Sequence, residues 1–419
     1  MEIKANRLSE NIFAMLSLKG LEYILNFALL PFLLRVLGPE RFGALAFMQG
    51  IIQYFIIITD YGFNMTAPRD IAKAVSDSKA VARIFSNVIA AKCILCIGFT
   101  LMAVFAAELS GIVWQMDIYL FLATYMMVIG NILFPVWFFQ GIQQMRYITL
   151  VNIAARSLMV VSVVYFVRGP QDYLAAAFLQ SSVTVVAGVF SFFIIKKKYP
   201  FVLIRPDILS IKEILKDGWH IFVSTIAINI YTTTTIVVLG VLSNNTIVGY
   251  YSAANKVLDS IRGVMNTITQ TIYPHIARMI QEKRGKVFLF LKRLLYVYGG
   301  SCAIGSVLLF FLARLVVEIL FGPGYEESIG ILKILAWVPP VVAISNVYGI
   351  QCLLNFGYQK IFSRILVEAA VFDLIIVGIL IYLFQAEGAA WSMLLTELFV
   401  TAGTIYHVKK IPEIDFTKR

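Results

Sequence analysis

Long apolar stretches follow one another along almost the whole chain of 419 residues. A helix that crosses a bilayer needs about 20 mostly apolar residues. These stretches predict twelve membrane-spanning helices, at residues 12–34, 44–63, 84–107, 118–139, 147–167, 173–195, 218–242, 247–277, 294–313, 328–356, 365–384 and 388–408. An outer-membrane barrel would instead show ten-residue segments of alternating hydropathy. The sequence therefore predicts an all-α polytopic membrane protein.

The composition argues against the main soluble classes of protein. Hydrophobic residues make up 60% of the chain and charged residues 14%, against about 45–50% and about 25% in an ordinary soluble domain. A soluble chain of this length would divide into several cores joined by polar linkers, and such linkers are not evident here. A soluble enzyme, a disordered chain and a disulfide scaffold all fit the sequence poorly.

The net charge of +11 reports the orientation of the chain. With the twelve predicted spans, 25 of the 35 Lys and Arg residues fall at the termini and in the even-numbered loops, and four fall in the odd-numbered loops. Cytoplasmic loops of membrane proteins are enriched in Lys and Arg, so we expect both termini in the cytoplasm. Because topology and anionic lipids account for the basic loops, no nucleic-acid partner is predicted.

The longest predicted cytoplasmic connection separates six spans from six. Residues 196–217 contain three consecutive lysines and two prolines, and we predict a basic linker there, between an N-terminal six-helix lobe at 1–195 and a C-terminal six-helix lobe at 218–419. Similar short segments, RVLG with FGALA at 35–46 and GVL with VGYYSA at 240–253, each join two spans of the same orientation. Parallel repeats of this kind relate transporter halves by a pseudo-two-fold axis along the membrane normal.

Twelve charged residues fall within the predicted spans. Each charge at the bilayer centre costs about 2.5–3.5 kcal/mol on insertion scales, so such groups should face a cavity or one another. Lys92 and Lys333 have a further option, because their aliphatic stems could carry the ammonium group to the membrane surface. The twelve are Lys19, Lys92, Arg156, Lys256, Arg262 and Lys333, with Glu22, Asp60, Asp259, Glu368, Asp373 and Glu397.

The eighth predicted span carries the longest polar face. At 100° per residue, seven polar side chains lie within about 100° of arc. These are Ser252, Asn255, Asp259, Arg262, Asn266, Thr269 and Gln270, with Lys256 at the edge. The face is about 27 Å long at 1.5 Å per residue, close to the depth of the hydrocarbon. It either lines a hydrated cavity or forms a polar seam between helices, in which Asp259 pairs with Arg262.

Residues 30–72 resemble the N-terminal signature of bacterial O-antigen flippases, which are polysaccharide transporters of the multidrug/oligosaccharidyl-lipid/polysaccharide exporter superfamily. The resemblance is carried by the RVLG-x-x-x-FG turn, the QYF run and the TDYGFN-x-x-x-x-RDIA segment. A second match is VGYYSAANKVLDSIRGVMNTITQTIYPHIAR at residues 248–278. The twelve-span, two-lobe plan extends the resemblance along the chain.

This resemblance implies a flippase of the bacterial inner membrane. Such a protein would move undecaprenyl-diphosphate-linked oligosaccharide from the cytoplasmic to the periplasmic leaflet by alternating access. Its partners would be that lipid-linked oligosaccharide, the bilayer and, in the cell, a polysaccharide polymerase and a chain-length regulator. The matched residues Lys256, Asp259 and Arg262 are implied to line a cavity for the diphosphate-sugar head.

The polar faces extend that set of candidate residues. The predicted substrate cavity consists of Lys19, Arg156, Asn255, Lys256, Asp259, Arg262, Asn266 and Gln270. The acids Asp60, Asp259, Asp373 and Glu397 are candidates to neutralise these bases or to bind a coupling proton or sodium ion. The sequence predicts no organic cofactor and no metal centre. Cys93 and Cys96 form a C-x-x-C, but it lies inside an apolar span with no second pair nearby, and the three histidines are far apart in sequence.

Two alternative functions stay open at this point. A cation-coupled drug or metabolite exporter of the same superfamily would confer drug resistance without a polysaccharide phenotype. A membrane enzyme of polysaccharide assembly, such as a polymerase, ligase or glycosyltransferase, would need a large exported loop or a cytoplasmic cluster of metal-binding acids. The longest predicted exported loop is short, at about residues 314–327, so an enzyme is the weaker alternative.

Overall fold

The computed structural model describes residues 2–110, 117–199, 204–282 and 284–411. Side-chain surroundings are described within these ranges from residue 28 onward, apart from residue 110, parts of 220–232 and residues 281–286. Regular structure in the described residues is helical, with no strand, which confirms the predicted all-α class.

Fourteen α-helices are described. They are α1 (Glu2–Asp60), α2 (Phe63–Ala74), α3 (Ser78–Ser110), α4 (Ile118–Leu133), α5 (Val136–Gly141), α6 (Met145–Phe166), α7 (Tyr173–Lys198), α8 (Ile208–Leu242), α9 (Asn245–Glu282), α10 (Arg284–Leu294), α11 (Gly300–Val316), α12 (Ser328–Leu335), α13 (Val338–Ser345) and α14 (Gln359–Lys410). Wider π-helical turns occur at Leu295–Gly299, Val317–Phe321 and Asn346–Leu354.

Eight helical stretches in the described residues are long and apolar enough to cross a membrane. Two of them contain a backbone break between two predicted spans, at Gly38 with φ 70° in α1 and at Gln385 with φ 50° in α14. Helix α9 is not among the eight, and its middle carries the charged residues Lys256, Asp259 and Arg262. The number of twelve spans stays a prediction.

The chain divides into two compact units. The first unit comprises Met1–Leu37 and Met48–Ile226, and the second comprises Gly38–Phe47 and Ala227–Arg419. The predicted linker, residues 196–217, falls within the first unit. The lobe boundaries taken from the sequence stay a prediction.

In the first unit, glycines let α4 pack closely against α7. A Cβ added to Gly130 would lie 2.6 Å from the backbone nitrogen of Val185, and a Cβ added to Gly188 would lie 2.6 Å from Cβ of Leu133. Small residues of this kind allow helix backbones to approach each other in membranes. The close packing fixes α4 just before it ends at Leu133.

In the second unit, the segment 38–47 crosses the start of α9 through glycine contacts. A Cβ on Gly43 would lie 1.7 Å from the carbonyl oxygen of Asn245, and a Cβ on Gly249 would lie 2.0 Å from the carbonyl oxygen of Pro39. Both glycines lie in the short segments that the sequence identifies as a repeat. The repeat-related segments therefore pack directly against each other, which explains why residues 38–47 belong to the second unit.

Helix α14 folds back on itself at Gln385. Beyond the break, a Cβ on Gly388 would lie 1.9 Å from the carbonyl oxygen of Leu380. Hydrogen bonds from Ser392 and Thr396 to Asp373 join the two halves. The hairpin thus brings polar groups of two predicted spans together.

We predict that Gly43→Ala and Gly249→Ala each destabilise the protein, because the new Cβ would overlap backbone atoms that cannot rotate away. Overpacking of this kind costs about 1–3 kcal/mol. The measurement is the midpoint of thermal unfolding of the purified protein in detergent. Gly305→Ala is the matched control, because Gly305 is helical and has nothing within 4 Å of an added Cβ. Equal midpoints for all three variants would contradict the prediction.

Candidate functional site

The polar face of α9 divides into a buried part and an exposed part. Ser252, Asn255 and Thr269 are buried. The side chains that remain exposed are Lys256, Asp259, Asn266 and Gln270. These four are spaced three, seven and four residues apart, so they share one side of the helix over about 21 Å.

Arg262 lies between the buried and exposed parts and forms an ion pair with α14. Its Nη2 donates to Oε1 of Glu397 at 2.9 Å, and the two side chains are 18% and 12% exposed. Arg262 therefore pairs with Glu397 and not with Asp259, its i,i+3 neighbour on the same helix. Asp259 instead accepts a hydrogen bond from Nδ2 of Asn255 at 3.3 Å.

Asp373 is the most deeply buried acid of the second unit among the described residues, with 1% of its surface exposed. Its Oδ1 accepts hydrogen bonds from Ser392 at 2.8 Å and from Thr396 at 2.9 Å. Its Oδ2 is buried and has no hydrogen-bond partner in the described part of the chain. A buried ionised carboxylate with one oxygen lacking a hydrogen bond is costly, so Asp373 is the least satisfied of the candidate acids in the described residues.

Thr269 joins α9 to another helical segment of the second unit through two hydrogen bonds. Its carbonyl oxygen accepts a hydrogen bond from Nε2 of Gln351 at 2.9 Å, and its hydroxyl accepts one from Nδ2 of Asn346 at 3.4 Å. Both donors lie in the π-helical turn Asn346–Leu354, and π-helical turns are frequent at functional sites. Thr269 therefore contributes to a polar contact between α9 and another helical segment and does not line a hydrated cavity.

The first unit contains a second buried ion pair. Nζ of Lys92 lies 2.6 Å from Oδ1 of Asp60, and the Lys92 side chain is 1% exposed. Asn64 and Asn131 donate to Oδ2 of Asp60 at 3.1 and 3.4 Å. Lys92 thus lies inside the unit and does not extend to the membrane surface.

The other predicted cavity residues are described less fully. Arg156 is half-buried on α6 in the first unit. Lys19 lies on α1, and its side chain is outside the described residues. Neither residue belongs to the second unit, which contains the other six predicted cavity residues.

An open surface pocket of about 760 Å³ lies within the first unit. Its lining combines Arg69 and Lys216 with Asp217 and the rings of Tyr61 and Trp219. The pocket lies next to the end of predicted span two and the start of predicted span seven. Sequence patterns did not indicate this pocket, because its walls come from segments about 150 residues apart.

Sequence patterns also missed Asn131, Ser392 and Thr396. Asn131 has one local signal, since it lies four residues before Pro135 and a proline cannot donate to the carbonyl group at that distance. Ser392 and Thr396 are four residues apart and share a helix face. Neither signal reveals that the groups contact Lys92 or Asp373.

Comparison with known protein families supports a transport function. A family model described as "Polysaccharide biosynthesis protein" matches residues 8–280. A protein of Escherichia coli (strain K12) described as a "Putative O-antigen transporter" is 34% identical over 412 residues, which are 97% of this chain and 98% of the relative. A protein of the same description from Shigella dysenteriae is 27% identical over 403 residues, which are 96% and 100% of the two chains.

Solved structures with the same fold are also transporters. An inward-facing multidrug resistance MATE family transporter of the MOP superfamily matches with a TM-score of 0.69 and 13% identity, over 96% of both chains. The lipid II flippase MurJ in an inward closed conformation matches with a TM-score of 0.68 and 14% identity, over 96% of this chain and 89% of the other. At these identities the likeness concerns the fold, and it confirms the two-lobe helical fold class.

Proposed function

The chain belongs to the polysaccharide biosynthesis protein family, and from that premise we propose that it is a flippase for lipid-linked oligosaccharides. It is a multi-pass membrane transporter and not an enzyme. Its proposed substrate is an undecaprenyl-diphosphate-linked repeat unit of a surface polysaccharide, moved to the periplasmic leaflet of the bacterial inner membrane by alternating access. Both termini are proposed to lie in the cytoplasm, and a polymerase with its chain-length regulator would use the product.

The proposal answers a physical problem posed by the substrate. A diphosphate-sugar head is charged and strongly hydrated, so it cannot enter hydrocarbon at a tolerable cost. The polyprenyl tail is apolar and can stay in the lipid throughout. The transporter therefore needs a polar path for the head alone, and this path must extend over most of the membrane depth.

The exposed polar side of α9 is the observation that carries the proposal. Lys256, Asp259, Asn266 and Gln270 give it ammonium, carboxylate and amide groups. Amides offer both donors and acceptors to sugar hydroxyls, and the ammonium group suits a phosphate oxygen. The two ends of this series are about 21 Å apart along the helix, compared with a hydrocarbon core of about 30 Å.

Arg262 is proposed to exchange partners when the head group binds. Its guanidinium donates one hydrogen bond to Glu397 at 2.9 Å, and a diphosphate offers several acceptor oxygens with more charge. Competition between Glu397 and the diphosphate would link substrate binding to the contact between α9 and α14. Lys256 lies less than two turns away on the same helix and is exposed.

We expect Arg262→Ala to abolish surface polysaccharide while the protein stays in the membrane. Loss of the guanidinium also leaves the Glu397 carboxylate buried and unpaired, which typically costs about 3–5 kcal/mol. The double variant Arg262→Ala/Glu397→Gln removes this charge and separates the two effects. The measurements are membrane abundance by immunoblot and surface polysaccharide by gel.

Arg364→Ala is the matched control for these variants. Arg364 pairs with Glu368 at 2.8 Å, as closely as Arg262 pairs with Glu397, but both side chains are well exposed. Exposed pairs contribute only about 0–1 kcal/mol, so this variant should make polysaccharide normally. Normal polysaccharide from the double variant Arg262→Ala/Glu397→Gln would disprove the role given to Arg262.

Asp373 is the acid that we select for ion coupling from the four candidates. Asp60 and Glu397 are already neutralised by Lys92 and Arg262, and Asp259 is exposed. Asp373 alone of the four combines deep burial, two hydroxyl donors on Oδ1 and an unpartnered Oδ2 in the described residues. Carboxylate and hydroxyl oxygens are suitable ligands for a hard cation, and the same group can bind a proton.

Asp373→Asn should uncouple transport from its ion gradient, because an amide keeps the shape of the carboxyl group but binds neither a proton nor a sodium ion well. The measurement is flipping of a fluorescent lipid-linked oligosaccharide in proteoliposomes, with an imposed sodium gradient in one arm and a pH gradient in the other. Glu368→Gln, an exposed acid on the same helix, is the control. A gradient response in Asp373→Asn equal to wild type would exclude Asp373 as the coupling site.

Deletion of the gene tests the function as a whole. A flippase defect should leave lipid-linked repeat units on the cytoplasmic leaflet, so radiolabelled lipid extracts should show their accumulation and the cell surface should lose polysaccharide. Drug susceptibility should not change. The opposite pattern, greater drug susceptibility with normal polysaccharide, would favour the drug exporter.

A further inference from the structure

The ammonium group of Lys92 is surrounded by three oxygen atoms. Nζ lies 2.6 Å from Oδ1 of Asp60, 3.3 Å from Oδ1 of Asn131 and 3.5 Å from the backbone carbonyl oxygen of Asn131. An ammonium group has three N–H donors, so each donor has an acceptor. The side chain of Lys92 is 1% exposed, so water contributes little to its solvation.

The third oxygen is available because α4 is interrupted. In a continuous helix, residue 135 would donate its backbone N–H to the carbonyl of residue 131. Residue 135 is Pro135, which has no N–H, and α4 ends at Leu133 before α5 begins at Val136. The Asn131 carbonyl is thereby released at the C-terminal end of a helix, where the helix dipole favours a positive charge.

The acceptors around Lys92 are themselves held in place. Oδ2 of Asp60 accepts hydrogen bonds from Asn64 at 3.1 Å and from Asn131 at 3.4 Å. Helix α4 is fixed against α7 by the contact between Gly188 and Leu133. A carboxylate, an amide oxygen and a backbone carbonyl thus converge from α1 and α4 on one point.

This group of ligands is the kind that binds small cations. Hard cations take carboxylate, side-chain amide and backbone carbonyl oxygens, and broken helices in transporters present freed carbonyls and C-terminal helix ends to sodium ions or protons. We propose that Asp60 and Asn131 form a monovalent-cation site in the first unit, and that the ammonium group of Lys92 is its permanent, tethered occupant.

The occupied site also bears on which unit takes up the coupling ion, an inference that rests on the proposed function. A site filled by a side chain cannot release its cation to the solvent, so the first unit takes up no coupling ion at Asp60. The ion-dependent step then belongs to Asp373 in the second unit. An ordinary buried ion pair differs from this arrangement, because it would have no affinity for a free cation after the lysine is removed.

The test is to remove the tethered cation and supply a free one. Lys92→Ala should leave the oxygen ligands in place, and the purified variant is heated in detergent with chloride salts of ethylammonium, potassium, sodium or choline at equal ionic strength. A ligand that binds only the folded state raises the unfolding midpoint. We expect a rise of several degrees for Lys92→Ala in at least one of the three small cations relative to choline, which is too large to enter.

Three further proteins serve as controls. The double variant Asp60→Asn/Lys92→Ala lacks the carboxylate and should respond to all four salts alike, as should wild type, whose site is filled. Lys333→Ala, which removes a lysine that lies over the Phe310 ring at 5.6 Å in the second unit, should also show no selective response. A selective rise confined to Lys92→Ala supports the proposal.

The proposal is overturned if Lys92→Ala shows no selective rise, or if the double variant shows an equal one. If Lys92→Ala is recovered only when a small cation is present during purification, that result also supports the site. Failure to recover it in any salt, with the double variant recovered normally, counts against the site. Because no transport is measured, these results are independent of the flippase assays.

Discussion

Charged side chains in a hydrophobic environment must be neutralised, and this constraint organises both units. The pair Lys92–Asp60 joins α3 to the end of α1, and the pair Arg262–Glu397 joins α9 to α14. A single charge at the bilayer centre costs about 2.5–3.5 kcal/mol. The two ion pairs therefore compensate charge and also join particular pairs of helices.

Breaks in the helical backbone occur close to these polar contacts. Asp60 ends α1, Pro135 interrupts the helix that carries Asn131, and Gln385 reverses α14 so that Ser392 and Thr396 reach Asp373. Irregular backbone at membrane depth is tolerated only where protein or a cavity satisfies the freed groups. The breaks accordingly present carbonyl and hydroxyl groups to side chains that would otherwise be unpaired.

The two units satisfy their buried acids in different ways. In the first unit, both oxygens of Asp60 have partners, one of which is the Lys92 ammonium. In the second unit, Oδ2 of Asp373 is buried without a hydrogen-bond partner in the described residues. A carboxylate whose oxygens all have partners is suited to stabilising the fold. A carboxylate with an unpartnered oxygen is suited to binding a proton or a cation. This difference supports the proposal that the buried acid of the first unit compensates charge and that the buried acid of the second unit couples transport to an ion.

Local sequence determined the fold class, the transporter family and the polar face of α9. Hydropathy and residue periodicity depend only on neighbours along the chain. The lengths of the apolar stretches therefore predicted an all-α membrane protein, and the 100° spacing of helical residues placed Asn255, Asp259 and Arg262 on one face. The RVLG and TDYGFN motifs gave the family in the same way. Only the tertiary structure decided which side chains these charged groups contact. Arg262 donates a hydrogen bond to Glu397, 135 residues away, and Lys92 donates one to Asn131. The physical reason is that helical periodicity determines which residues share a face of one helix. Which faces of different helices contact each other depends on the packing of segments that are distant in sequence.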